Sequence, residues 1–222
     1  MPRKIRYIIP QIPHHALQRG NNRQAIFYDA EDRIIFLTNL KKNSKKENVS
    51  VGSYCLMTNH IHLLLYPQTP KELIKFMKSL AQLHTQYINR KYKRTGKLWE
   101  NRYKLNIVDP DCEWIVSRYI ERNPVRAGMV KSAGSYQYSS AAAHLKMAKD
   151  ELLTKDIIQN RTNEYMDFLN NDEADKQENL KSIETIVEQE KAWGSIRFIK
   201  ELEDRFKAVF QTRSRGRPLR RR

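Results

Sequence analysis

The chain has 222 residues, with 41 Lys and Arg against 25 Asp and Glu for a net charge of +16, and with 40% hydrophobic and 9% aromatic residues. That apolar share excludes wholesale disorder, and the length suits one main domain plus an appendage. No apolar run approaches the roughly 18 to 20 residues needed to cross a bilayer, and no signal-like apolar stretch follows Met1, so a cytoplasmic protein with no membrane contact is expected. Cys55 and Cys112 form no CxxC pair, which argues against a disulfide framework or a thiolate zinc site and for free thiols.

The charge is unevenly placed. Residues 1–150 carry 26 basic and 11 acidic side chains (+15), residues 151–210 carry 9 and 14 (−5), and residues 211–222 carry 6 and none (+6). The chain therefore divides into a basic main domain (1–150), a helical appendage (151–210) and a basic tail (211–222). A domain at +15 is the footprint expected of a phosphate-backbone binder, and the acidic stretch is a candidate competitor for the same surface.

In chain order, residues 5–19 read as a strand that ends at the turn signature Arg19-Gly20-Asn21-Asn22. Asp29 caps a helix carrying Ile34, Ile35, Phe36, Leu37 and Leu40, which runs into the Lys41–Lys46 cluster. Val49 to Met57 and His60 to Tyr66 read as two strands joined tightly at Thr58-Asn59. Thr69-Pro70 starts a helix with Leu73, Phe76, Met77, Leu80, Leu83, Tyr87 and Ile88 at helical spacing. Leu98 to Val108 is extended, and Asp109-Pro110 opens a helix that Asn123-Pro124 is expected to stop. This order predicts an α+β fold, an antiparallel sheet with helices on one face. Beyond residue 150 two helical stripes follow, Leu180, Ile183, Ile186 and Val187, then Phe198, Ile199, Leu202, Phe206 and Val209.

Two local patterns carry chemistry. In a strand, His60 and His62 project from one face while Ile61 enters the other, which makes a two-point metal site or a pair of ordinary histidines. Tyr119 and Asn123, four apart near a helix end, lie on one helical face; a nucleophile beside an amide ligand and a packed tyrosine beside a capping asparagine both fit.

Together with their surroundings these patterns resemble a known family. Gln18-Arg-Gly-Asn-Asn22, Ala25-Ile-Phe-Tyr-Asp29, Tyr54-Cys-Leu-Met-Thr-Asn-His-Ile-His-Leu-Leu-Leu65, Gly96-Lys-Leu-Trp-Glu-Asn-Arg-Tyr-Lys104 and Arg118-Tyr-Ile-Glu-Arg-Asn-Pro-Val-Arg-Ala-Gly128 are similar, in order and spacing, to the REP-associated tyrosine transposases. These are single-tyrosine HUH transposases of bacterial insertion sequences. One departure is Thr58, where members often have proline. The resemblance implies a ferredoxin- or RRM-like sheet, His60, His62 and Asn123 as ligands of Mg²⁺ or Mn²⁺, and Tyr119 as the nucleophile that forms a 5′-phosphotyrosine. Two imidazoles alone would favour zinc.

The partner the resemblance implies is single-stranded DNA with palindromic hairpins, met by a monomer or homodimer associated with the nucleoid. Candidates for contact with its backbone are Arg19, Arg23, Lys91, Lys93, Arg94, Arg102, Lys104, Arg122 and Arg126, with Tyr87, Tyr92, Trp99 and Tyr103 as stacking surfaces or core. Arg215-Gly-Arg217-Pro is similar to an AT-hook or is a generic basic tail. The rival reading is a module that binds hairpins on the same fold without cleaving them.

Overall fold

The centre of the fold is the hairpin between β2 (Val49–Leu56) and β3 (His60–Pro67), closed at Thr58-Asn59 by a 2.9 Å bond from Met57 N–H to the His60 carbonyl. The computed structural model describes residues 6–171 and 180–212. β1 (His14–Arg19) pairs with the other edge of β3, and β4 (Lys104–Ile107) pairs with β1. The sheet order is β2-β3-β1-β4, with every pairing antiparallel. The crossovers are helical: α1 (Ala30–Lys46) joins β1 to β2, and α2 (Pro70–Lys91) joins β3 to β4. The expected α+β architecture is present.

Local chemistry sets the element ends. Asp29 accepts from Asp32 N while the Asp32 side chain accepts from Asp29 N, a reciprocal cap on α1. Thr69 caps α2 ahead of Pro70. The first strand is shorter than expected, because Pro10 and Pro13 have no N–H for the ladder. The expected extended run over 98–108 keeps ladder pairing only near its end, with isolated bridges from Trp99 to Gly20 and from Val108 to Trp193. A side chain at Gly20 would collide with the Gln24 carbonyl 2.3 Å away, so this turn requires glycine.

The helix after Asp109-Pro110 ends just before Asn123-Pro124 as expected, but a further helical turn follows at once. After a short capped turn over Pro110–Cys112, α3 (Glu113–Glu121) is followed directly by the single turn α4 (Asn123–Arg126), where a first-turn proline lacks only an N–H that has no helical partner.

Alternation then divides the sheet. Ala16, Ile61, Leu63, Leu65 and Leu105 face α1 and α2, packing against Phe36, Leu40, Leu73, Phe76 and Leu80. The opposite face, expected to be open, is covered too. Leu17, Cys55 and Leu64 pack there against Val116 and Ile120 of α3, and α5 (Ala141–His144) lies alongside. The same layer takes in Tyr165 and Leu169 of α6 (Thr162–Asn170), Ile183 and Val187 of α7 (Leu180–Gln189), and Trp193. Much of the segment after residue 150 thus belongs to the core of the sheet. α8 (Ile196–Phe206) packs Phe198, Ile199, Leu202 and Phe206 around Ile9 and Ile107, while Val209 is exposed. Cys55 and Cys112 are free thiols, and among the described residues no helix is long and apolar enough to cross a membrane.

Burial holds several histidines neutral in the fold. It lowers His14 and His84 to about 4 and His15 to about 3, so an unfolded chain binds these protons and the folded one does not. Their contribution to stability is intact above the unfolded value near 6.5 and is lost as pH falls towards 4. His144, raised by Glu121, works in the opposite sense and loses its contribution as pH rises above that range. The melting temperature is therefore expected to fall between pH 6.5 and 4. His84→Gln, which keeps a donor for the Ile26 carbonyl, should make that fall shallower by about one proton's slope; an unchanged slope by circular dichroism would refute the assignment.

Candidate active site

The register of β1 on β3 places the site. Arg19 opposes His60, Leu17 opposes His62 and His15 opposes Leu64, so these side chains share the face under α3. Lys104 and Asn106 of β4 join that face opposite Leu17 and His15. Above it, the Tyr119 ring stands edge-on to His62 (5.6 Å, 87°) and to His15 (6.0 Å), with Trp193 at 5.7 Å.

Buried polar bonds fix α3 over the sheet. Arg118 is fully buried and donates from Nε to the Phe168 carbonyl at 2.8 Å and from Nη2 to that of Asn171, at the end of α6 where carbonyls attract a cation. Glu121, also fully buried, accepts from Ser140 Oγ, from His144 Nδ1 at 2.6 Å and from the Tyr165 hydroxyl at 2.8 Å. Tyr119 lies between these two anchors in sequence and faces the other way, into a cavity of about 370 Å³.

That cavity is lined by Arg19, Arg23, His60, His62, Lys104, Tyr119, Asn123 and, from α7, Glu184 and Glu188. His60 Nδ1 lies 2.6 Å from Asn59 Oδ1, and Asn59 Nδ2 donates to the Arg23 carbonyl. The Asn59 oxygen therefore accepts, His60 carries its proton on Nδ1, and Nε2 is a bare donor. Burial lowers His60 to about 4 and, with nearby cationic groups, holds His62 well below its usual value, so both imidazoles are neutral near pH 7. Asn123 Nδ2 donates to the carbonyls of Tyr119 (2.8 Å) and Ile120 (3.3 Å), and its oxygen is the end left for the cavity. Two imidazoles and one amide oxygen, donor types that a divalent ion accepts, thus border one cavity. Among the described residues no three His, Cys, Asp or Glu side chains cluster as a metal site.

The Tyr119 phenol is raised above its ordinary value by burial, against which Arg126 and Arg19 act and to which Glu184 adds. Arg126 sits 4.7 Å above the ring and also donates to the Tyr119 carbonyl.

The expected DNA contacts fall into groups. Arg19, Arg23 and Lys104 line the cavity, and Arg102 joins them in an adjoining one of about 360 Å³. Lys91 instead bridges Asp29, Glu31 and Asp32, tying α2 to the start of α1, and Arg94 donates to Tyr28 and Gln24. Arg122 is 6% exposed and donates to the Leu169 carbonyl, so burial removes it from the surface that a DNA backbone could reach. Lys93 is exposed beyond the end of α2. Arg215 and Arg217 lie outside the described residues. Tyr103 is core, and Trp99 donates to the Ala81 carbonyl while packing on the same cluster. Sequence reasoning missed His15, Asn106, Trp193, Glu184 and Glu188. Alternation alone puts His15 on the face of Arg19, but its meeting with His62 depends on a strand pairing no local pattern gives.

Comparison with known proteins bears on this arrangement. The model of the family "Transposase IS200 like" matches residues 9–123, a span that holds both histidines, the tyrosine and the asparagine. A solved REP-associated tyrosine transposase bound to a REP hairpin is similar in fold, with a TM-score of 0.57 at 14% identity over 71% of this chain and 93% of that one. A putative transposase from Deinococcus radiodurans R1 has 20% identity and a TM-score of 0.38, over 55% of this chain and 97% of that one. No curated protein matches the chain. With the family model spanning just over half of its length and the site within that span, the chain belongs to the IS200-like transposases.

Proposed function

We propose that this transposase cleaves and rejoins single-stranded DNA at palindromic, REP-like hairpins through a 5′-phosphotyrosine on Tyr119. The observation that carries the reading is one cavity in which the Tyr119 ring meets His62 at 5.6 Å beside His60, Asn123, Arg19 and Lys104. Nucleophile, metal-competent donors and phosphate-binding cations share that space. The likeness to a transposase bound to a REP hairpin supports a hairpin as partner.

His60 Nε2, His62 Nε2 and Asn123 Oδ1 would hold Mg²⁺ or Mn²⁺. Bound there, such an ion supplies Lewis-acid polarisation of the scissile phosphate and stabilises the departing 3′ oxygen. Zinc would suit the two imidazoles, but the third His, Cys or carboxylate of a typical zinc site is not assembled among the described residues. Arg126 and Arg19 ease loss of the phenolic proton. Tyr119 Oη then attacks phosphorus in line, the bond from phosphorus to O3′ breaks, and the 3′ oxygen takes up a proton as a free hydroxyl. Attack by a 3′-hydroxyl on the phosphotyrosine reverses these changes and rejoins a strand, so the bond energy is retained and no ATP is needed. A hairpin-binding module that does not cleave is the second reading, favoured by the burial of Tyr119 at 8% exposure.

Labelled hairpin DNA with Mn²⁺ separates the two. Wild type should form a covalent adduct that survives denaturation, Tyr119→Phe should form none while binding the hairpin as before, and His62→Ala should slow adduct formation by about 100-fold or more. Absence of an adduct across several palindromes would leave the binding module as the correct reading.

Charge removal tests the path of the backbone. Lys104→Ala should reduce the slope of log affinity against log salt by about 0.7, the value for one lost single-strand phosphate contact, whereas Lys91→Ala should leave the slope unchanged. Equal effects would place the DNA elsewhere.

Glu184 and Glu188 of α7 line the basic cavity, so the competition expected of the acidic stretch is testable without deleting residues that build the core. Glu184→Gln with Glu188→Gln should tighten hairpin binding several-fold at low salt and less at high salt. Unchanged or weaker binding at low salt would exclude competition.

A further inference from the structure

Behind His62 lies a line of polar groups with no part in the steps above. His15 on β1 is fully buried, its ring lies parallel to that of His62 within 2° at 5.1 Å, and its Nε2 is 2.8 Å from His62 Nδ1. Register explains the contact: His15 opposes Leu64, so His62 is its diagonal neighbour on the same face. Directly across from His15 on β4 stands Asn106, also fully buried. Its Nδ2 donates at 2.8 Å to both the Ile186 and Lys191 carbonyls, at and just beyond the end of α7. Those two bonds fix which end of the amide is nitrogen and turn Oδ1 the other way. Among the described residues, His15 Nδ1 and Asn106 Oδ1 are both buried without a hydrogen-bond partner. They belong to opposed residues, whose Cβ atoms in an antiparallel pair are about 5 Å apart.

A single proton occupies the line between the two imidazoles, and its owner decides what His62 can do. If His15 Nε2–H donates, the His62 proton sits on Nε2 and blocks the nitrogen that faces the cavity. If His62 Nδ1–H donates, Nε2 is bare. His15 must then carry its own proton on Nδ1, where a buried donor needs an acceptor. Asn106 Oδ1, on the residue opposite His15, is a buried acceptor that likewise lacks a partner.

We propose that His15 and Asn106 are positioning residues that hold His62 in the tautomer with a bare Nε2. Asn106 Oδ1 accepts from His15 Nδ1–H, and His15 Nε2 accepts from His62 Nδ1–H. The pair fixes ring orientation and raises the donor strength of the ligand nitrogen, as carbonyl or carboxylate partners do behind ligand histidines generally. It also ties the site to α7, whose terminal carbonyls orient the Asn106 amide. The effect on metal affinity rests on the proposed metal site; the tautomer itself does not.

Long-range proton–nitrogen correlation spectra of the metal-free protein, with Mn²⁺ affinity read by electron paramagnetic resonance, test the proposal. Wild type should show His62 protonated on Nδ1, and Asn106→Leu should shift that proton towards Nε2. His15→Phe should weaken Mn²⁺ binding by roughly 10- to 100-fold, and His15→Gln, whose amide oxygen can accept from His62 Nδ1–H, should restore it to within a few-fold. An Nε2–H tautomer in wild type, or equal Mn²⁺ affinity in wild type and His15→Phe, would overturn the proposal. If His15→Phe does not fold, the wild-type tautomer and the His15→Gln affinity decide. A His62→Ala protein that binds Mn²⁺ like wild type would instead remove the metal site, and the metal-free tautomer would still judge His15 and Asn106.

Discussion

Everything in the site depends on one register, the pairing of β1 with β3. Arg19 against His60 and Leu17 against His62 put a cation and both imidazoles on the face beneath α3. A slip of one residue would turn His60 and His62 towards α1 and α2 and carry Ile61 and Leu63 to the cavity. The register resists such a slip because Ile61, Leu63 and Leu65 fill the first core while Leu64 joins the second. Two buried faces make every position on β3 specific, and the chemistry inherits that specificity.

A second constraint holds the nucleophile. α3 has nine residues, too few to be a stable helix alone. Its position comes from contacts on both sides: Val116 and Ile120 against the sheet, and Arg118, Glu121 and Arg122 towards α5 and α6. Buried charges are costly unless satisfied. Here Glu121 accepts from three partners and Arg118 donates to carbonyls at a helix end, so the desolvation cost is offset by directional bonds. The bonds of Arg118 and Arg122, and the one that Glu121 accepts from Tyr165, exist only when α6 is in place, which makes the segment after residue 150 part of what orients Tyr119.

The extent to which the sequence disclosed this follows from the range of each interaction. The hairpin at Thr58-Asn59, the caps at Asp29 and Thr69, and the shared faces of His60 with His62 and of Tyr119 with Asn123 are local, and alternation or helical spacing exposes them. Pro124 marked the end of α3 correctly but hid the turn that follows, because the same residue that ends one helix is tolerated in the first turn of the next. The second covered face was hidden for a different reason. Ile183, Val187 and Trp193 read as an appendage, and only the paired strands create the surface they cover. His15 and Asn106 share that origin, since each gains its meaning from a residue on another strand.

The net charge looks different once its members are placed. Lys91 is held by three carboxylates, Arg118 and Arg122 cap α6, and Arg126 lies over Tyr119, so a sizeable part of the basic excess is internal to the fold. What faces the cavities is a smaller set, Arg19, Arg23, Arg102 and Lys104, gathered where β1 and β4 meet. Cations focused beside a nucleophile attract a phosphate chain more effectively than the same number spread over a surface. Glu184 and Glu188 stand within the same walls, so the field a DNA strand meets is set by a handful of opposed charges at the site, and the total of +16 is a poor measure of it.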